Sequence, residues 1–429
     1  MNAAEIDEEF VLLAIPDVNG SLRGKALRPD AFEAALKHGT VMTDLIIGLD
    51  PVDAPIADYE RFGIRVGAPD LIVRPDPDTL HDLSWRPGWR VCLATPNWPD
   101  GSAAFASREV FRRVLDDVDG LGFEVMAAIE YEIRIRDEEG APASSGISYS
   151  LNEIGRYGRF LDELVPALEG LGIELSAVHT EAGPGLLELN VEARRGLAAA
   201  DDAALLKFGV KQVAESVGLR ASFLAKTNPG EEGSSGHVHL SLWKGTSNAF
   251  AGENPTAELR HPFSSAVAGV IDHLPAASLL LNPTINSYKR LVPGWFAPIN
   301  ATWGYENRSC AVRAIRGARP ELWRFECRRP GADANPYLVL AAIGASVVDG
   351  IRREATPPNP IEGDAYALDL PELPGSLDAA LRAFEDDSAL REALGKDFSD
   401  YYVTSRTWEL KAWRETVTEW ERERYDRSV

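Results

Sequence analysis

Cysteine, positive charge and long apolar runs are all in short supply in this sequence. Its three cysteines, Cys92, Cys310 and Cys327, show no Cys-x-x-Cys spacing, which excludes a disulfide framework and a thiolate zinc site. No apolar run reaches the ~18 uninterrupted residues of a spanning helix. The start, Met-Asn-Ala-Ala-Glu-Ile-Asp-Glu-Glu-Phe, has neither the basic residues nor the apolar stretch of a secretion signal. The expectation is a cytoplasmic protein with no membrane partner. Lysine and arginine number 44 against 66 aspartates and glutamates, a net charge of -22. Such a chain repels nucleic-acid backbones and anionic lipid at long range, so a polyanionic ligand needs a locally basic pocket. Neither a Walker lysine loop nor a Gly-x-Gly-x-x-Gly fingerprint is present, so the familiar nucleotide folds find no support.

What is there is an ordinary globular composition, 45% hydrophobic over 429 residues, enough for two or three domains or one large domain with a small one attached. Residues 10–16 and 21–27 read as strands joined by Asp-Val-Asn-Gly, a strong hairpin signal. Pro29 and Asp30 open a short helix. Between 41 and 100, short apolar runs amid Pro and Asp suit a small sheet with long loops, and Asn-Trp-Pro-Asp-Gly-Ser (97–102) is the expected boundary. Beyond it, Val110, Phe111, Val114, Leu115 and Val118 have helical spacing, ending at Gly120. Helices are also predicted over 152–172 and 198–218 and through most of the last sixty residues. The order of helices and strands predicts an α+β domain from 103 to 429, preceded by a small domain over 1–102.

Four distant segments alternate apolar with polar residues: Ala-Ala-Ile-Glu-Tyr-Glu-Ile (127–133), Glu-Ala-Gly-Pro-Gly-Leu-Leu-Glu-Leu (181–189), Gly-Ser-Ser-Gly-His-Val-His-Leu-Ser-Leu (233–242) and Trp-Arg-Phe-Glu-Cys-Arg (323–328). On strands, Glu130 and Glu132 share a face, as do His237, His239 and Ser241, and as do Arg324, Glu326 and Arg328. Charges on such a face are costly to bury without compensation. Five carboxylates, Glu130, Glu132, Glu181, Glu188 and Glu326, with the imidazole of His237 and no thiolate, suit Mg2+ or Mn2+. Arg290, Arg308, Arg313, Arg324 and Arg328 come from one short stretch, and guanidinium forks match phosphate and carboxylate. Metals and arginines together are the apparatus of phosphoryl transfer.

These motifs, with Asn-Ser-Tyr-Lys-Arg-Leu-Val-Pro-Gly (286–294) and Asn-Arg-Ser (307–309), resemble the glutamine synthetase family of the class I bacterial type over nearly the whole chain. The resemblance implies an α+β fold with a small N-terminal β-grasp domain and a large catalytic domain whose curved antiparallel sheet forms part of a barrel flanked by helices. It also implies a dodecamer of two hexameric rings. ATP as co-substrate and two or three Mg2+ or Mn2+ ions follow from it. Glu132, Glu181 and Glu188 are then the ligands of one ion, and Glu130, His237 and Glu326 those of the ion bridging the ATP phosphates. Arg308, Arg313 and Arg324 match the residues on the transferring phosphate and nucleotide, and Arg290 and Arg328 those on the glutamate carboxylates. Gly233 matches the glycine of the glutamate site, and His239 and Ser241 match nucleotide contacts. Arg308, Glu326 and His237 form the implied catalytic set. The implied reaction phosphorylates the glutamate side chain and passes the acyl group to a nitrogen nucleophile.

The sequence departs from this pattern where ammonia-using members carry Tyr-Glu-Ala-Pro after Pro-Gly: here the run is Trp295, Phe296, Ala297, Pro298. An apolar ring replaces the carboxylate that balances ammonium, and an uncompensated cation there is penalised. Leu186 and Glu232 replace a Gln and an Asn near glutamate. Phe296, with Trp295 and Trp303, points to a glutamate-amine ligase using an organic amine of apolar or aromatic body, like the γ-glutamylpolyamine, γ-glutamylethanolamide and γ-glutamylanilide synthetases. The alternatives are a true glutamine synthetase using ammonia, a silent ring scaffold that binds metabolites, and an enzyme for another amino acid.

Overall fold

The computed structural model describes residues 9–428 apart from positions 104, 253 and 255. The leader-free start read from residues 1–10 falls mostly outside them. The predicted hairpin forms: Phe10–Pro16 pairs antiparallel with Leu22–Leu27. Its turn is built by Asp17, whose Oδ1 accepts from the amides of Asn19 (2.9 Å) and Ser21 (2.8 Å), with Gly20 at φ 80. Helix Pro29–His38 follows, burying Phe32 and Ala35. Phe32 packs on Val11 and Cys92 of the sheet. Strand Trp89–Asn97 inserts parallel beside Phe10–Pro16, giving the order Leu22–Leu27, Phe10–Pro16, Trp89–Asn97, Asp70–Pro75, Thr40–Thr43. A hairpin, a helix and a last strand returning to the centre make this the expected β-grasp.

The second sheet has ten strands and curls into half a barrel. Its main path runs Trp303–Tyr305, Val312–Ile315, Arg324–Cys327, Gly236–Lys244, Glu124–Asp137, Leu186–Val191, Leu175–Thr180. All of these pairings are antiparallel except the edge pair Trp303–Tyr305 with Val312–Ile315, which is parallel. Helices back it, among them Ser107–Asp119, whose predicted apolar residues Val110, Phe111, Val114 and Val118 are buried. Ala198–Ser216 agrees with the reading of 198–218. One core cluster runs from Leu71, Val91 and Leu93 of the first sheet into the second.

Helix Phe263–Leu281 is long and apolar enough to cross a membrane by length and composition, and 83% of that window is buried inside the protein. It lies against Pro336–Arg352 and Leu377–Asp386. Glycine permits the first contact, since a Cβ at Gly269 would fall 2.0 Å from the Ser346 carbonyl oxygen and 2.8 Å from Gly350 Cα.

Two expectations change. The helix predicted over 152–172 is broken into Leu151–Ile154, a tight turn Gly155–Tyr157 and Gly158–Gly170. Gly155 and Gly158 weaken the continuous helix, and Tyr157 is drawn aside by its hydroxyl's 2.8 Å bond with Ser144 Oγ. The strand alternation over 181–189 and 233–242 also begins late, at Leu186 and Gly236. Glu181 and residues 233–235 therefore occupy loops, the first of them turned by Gly183 and Gly185 at φ 155 and 74.

Candidate active site

Strand register explains how far-apart side chains converge. Glu132 stands opposite Glu188, which stands opposite His179. Glu130 stands opposite His237, and Glu326 is flanked by His239 and Arg313. Directly opposed residues share a face, and residues two apart repeat that face about 7 Å along the strand, so these groups form three polar rungs on the concave side. They line one cavity of about 750 Å3, together with Glu181, Gly233, Arg290, Trp295, Phe296, Arg308, Arg324 and Arg328.

Every predicted site residue reaches this cavity except Ser241. That side chain is buried one step further along its strand, opposite Met126, and accepts a 2.9 Å bond from the Trp243 indole. Trp303 does not reach it either: it is buried, its indole bonded at 2.7 Å to the Pro358 carbonyl. Of the three predicted aromatics, Trp295 and Phe296 alone line the cavity. Leu186 is buried away from the cavity as well, whereas Glu232 lines it.

The charges are unevenly balanced. Burial opposes ionisation of Glu130, but His239, with Nε2 3.1 Å from Glu130 Oε1, and His237 bring its pKa down to about 2. Burial likewise opposes Glu326, yet Arg328, His239, His237 and Arg313 hold it well below the usual carboxylate range. Arg313 Nη1 lies 3.1 Å from its Oε2, and Arg328 donates to its Oε1. Glu132 has only Arg290 as a cationic counterweight. Burial, then the charges of Glu188 and Glu181, push it up to about 7, although its Oε2 accepts the Ser235 amide at 2.7 Å.

Cations fit this donor set. Three groups of ligand atoms lie within 4.8 Å of one another: Glu130, His239 and Glu326; Glu130, Glu188 and His237; His179, Glu181 and Glu188. His237 Nε2 is buried without a hydrogen-bond partner, while His239 Nε2 and His179 Nδ1 meet carboxylate oxygens at 3.1 and 3.2 Å. Carboxylates crowded with imidazole nitrogens, one of them unpartnered, and no thiolate are what hard divalent ions relieve. Glu132 falls in none of the three close groups, so the trios implied by resemblance are not the nearest neighbours, though all six residues face one space.

The arginines form the opposite wall. Arg324 Nε donates to His239 Nδ1 at 2.9 Å, and Arg290, fully buried, donates to Ser235 Oγ at 3.1 Å and to the Arg329 carbonyl. Arg308 is exposed at the cavity, its carbonyl taking the Arg328 Nε at 3.1 Å. Gly233 is needed for contact, because a Cβ there would fall 2.2 Å from Arg290 Cγ.

Sequence reasoning missed His179 and Tyr149. His179 sits between two carboxylates, Nδ1 3.2 Å from Glu181 and Nε2 3.1 Å from Glu188, and Tyr149 stacks on its ring at 4.3 Å. His-Thr-Glu (179–181) held the signal, since period two puts His179 and Glu181 on one side. Nothing in the sequence marked Tyr149, a loop residue. Arg134 was also missed. It is wholly buried and ties the turn at Pro184 to the loop at Glu231 and Glu232.

Residues 104–425 match the family described as glutamine synthetase, catalytic domain. The chain is 34% identical over 430 residues to gamma-glutamylethanolamide synthetase of Streptomyces coelicolor, covering 97% of this chain and 92% of that one. It is 33% identical to glutamate-isopropylamine ligase of a Pseudomonas species (97% and 95% covered) and 34% identical to glutamine synthetase of Thermus thermophilus (97% and 95%). A solved structure described as a GmaS/ADP complex superposes with a TM-score of 0.86 at 28% identity, covering 98% of this chain and 97% of that one. With carboxylates, imidazoles and arginines gathered in one cavity and similarity running almost end to end, this chain belongs to the glutamine synthetase family of ATP-dependent carbon-nitrogen ligases.

Proposed function

We propose that this protein joins the side-chain carboxylate of glutamate to an organic amine, through γ-glutamyl phosphate formed from ATP. The observation that carries the reading is Phe296: a half-exposed apolar ring at the cavity mouth, beside Trp295, where ammonia-using relatives of the resembled pattern carry a carboxylate. Two of the similar proteins are named for amine products or substrates, an ethanolamide and isopropylamine. A carboxylate is a poor acyl donor until phosphorylated, so the first task is to bring two anions together.

Arg308, Arg313 and Arg324 are proposed to face the phosphates, and Arg290 and Arg328 the carboxylates of glutamate, with Gly233 letting substrate and Arg290 approach closely. His239 would meet the nucleotide; Ser241 has no place in this reading. Glu130, Glu132, Glu181, Glu188, His237 and Glu326 would hold Mg2+ or Mn2+, which when bound neutralise phosphate charge and orient the transfer. Glu326 keeps Arg313 and Arg328 aimed into the cavity. The amine enters past Trp295 and Phe296, whose rings exclude water and match an apolar body.

The family resemblance supports a dodecamer of two hexameric rings and a cytoplasmic setting. A division into residues 1–102 and 103–429 is supported by the turn after Asn97 and by the family match beginning at residue 104. The test is phosphate release with ATP and glutamate over a panel of amines and ammonia. An organic amine is expected to give the highest kcat/KM; ammonia doing so would overturn the proposal.

A further inference from the structure

Glu232 is half-buried and lines the cavity beside Gly233. The bland explanation, that it neutralises Arg134, does not match the geometry. Arg134 donates to the Pro184 carbonyl at 2.6 Å and to the backbone carbonyl of Glu232, while its charge partner is the Glu231 carboxylate at 3.2 Å. Lys226, the other nearby cation, donates to the Glu231 carbonyl and rests 3.9 Å from the Trp295 ring centroid. Among the described residues the Glu232 carboxylate receives no hydrogen bond and has no close ion pair. Burial, then the charge of Glu181, raises its pKa, with Arg134 and Lys226 only partly offsetting them.

A carboxylate in this position is stabilised by a cation that arrives with the ligand. Its neighbour in the chain indicates which one. Gly233 packs directly on the Arg290 side chain, and Glu232, its chain neighbour, lines the same cavity as Arg290. A carboxylate and a guanidinium lining one cavity complement the ammonium and carboxylate carried by one carbon of an α-amino acid.

We propose that Glu232 determines specificity for the acid substrate by pairing with its α-ammonium group, next to the arginine that takes a carboxylate. This rests on the reading that the acid substrate is glutamate, and is independent of which amine follows.

Calorimetry on the protein loaded with Mg2+ and ADP, with no amine present, compares glutamate with glutarate, the same dicarboxylate without the ammonium. The unaltered protein is expected to bind glutamate about tenfold or more tightly than glutarate, the scale of one charge-assisted hydrogen bond. Glu232→Gln should abolish that preference by weakening glutamate alone, and Glu232→Asp should restore part of it. In turnover, Glu232→Gln should raise KM for glutamate and leave KM for the amine unchanged. An unchanged glutamate-to-glutarate ratio in Glu232→Gln, a parent protein that shows no preference, or a rise confined to the amine KM would overturn the proposal. Failure of every organic amine against ammonia would remove the amine reading while leaving this ratio decisive.

Discussion

Lys226 lies over the face of Trp295, its Nζ 3.9 Å from the ring centroid. The ammonium is also fixed by the carbonyl of Glu231 and is buried, so a held positive charge backs the aromatic wall next to Phe296. A second positive charge on an incoming amine meets repulsion there, whereas an apolar tail meets a ring. Lys226→Met is therefore expected to raise kcat/KM for a diamine severalfold relative to an alkyl monoamine of equal length, a shift of about 1 kcal/mol in selectivity. Paired kinetics on the two amines check it.

Phe296 has a left-handed backbone, φ 52, in the turn after Gly294. Placing a carboxylate there restores a partner for ammonium. Phe296→Glu should raise kcat/KM for ammonia by about tenfold, the scale of one charge-assisted contact, and lower it for apolar amines. Phosphate release with each nucleophile, run side by side, reads both changes.

Arg134 joins two loops that carry cavity residues, and its guanidinium lies where a side chain at position 183 would be, 2.8 Å from the Cβ that Gly183 lacks. Arg134→Met leaves the Pro184 and Glu232 carbonyls without their donor and the Glu231 carboxylate without its ion-pair partner. A loss of about 2–4 kcal/mol is expected, seen as a lower denaturant midpoint. Glu231→Gln, which keeps the guanidinium, should lose less.

His273 lies between two carboxylates, Nδ1 2.6 Å from Asp387 and Nε2 2.9 Å from Asp349, with Arg353 also on Asp349 at 2.7 Å. Burial opposes its charge, but the two hydrogen-bonded aspartates win and raise its pKa. A raised histidine stabilises the fold fully below its unfolded value of about 6.5, and that contribution disappears as pH climbs through the folded value. The Tm difference between the parent protein and His273→Gln should therefore be widest at about pH 6 and narrow steadily on the alkaline side. A difference that grows with pH would contradict the assignment.

Much of the fold was legible because local rules agreed with it. The Asx turn at Asp17, the apolar spacing of Ser107–Asp119 and the alternation of Glu130 with Glu132 are each written within a few residues. Register was not legible. That Glu132 faces Glu188, or His239 faces Glu326, depends on pairings between segments 56 and 87 residues apart. The same limit explains Trp303 and Ser241. Period two told which side of a strand Ser241 occupies but not how far along it the cavity extends, and a strand as short as Trp303–Tyr305 gave no period at all. Arg134 follows directly on the segment 127–133 and carries no signal of its own in the sequence; its complete burial and its bonds to two loops reveal its role.

The helix Phe263–Leu281 is apolar around nearly its whole circumference, and both helices that cover it come later in the chain. A ribosome making this protein exposes a greasy rod well before its wrapping is synthesised. Protection during translation, by a chaperone at the exit tunnel, is thus more valuable to this chain than rescue after release.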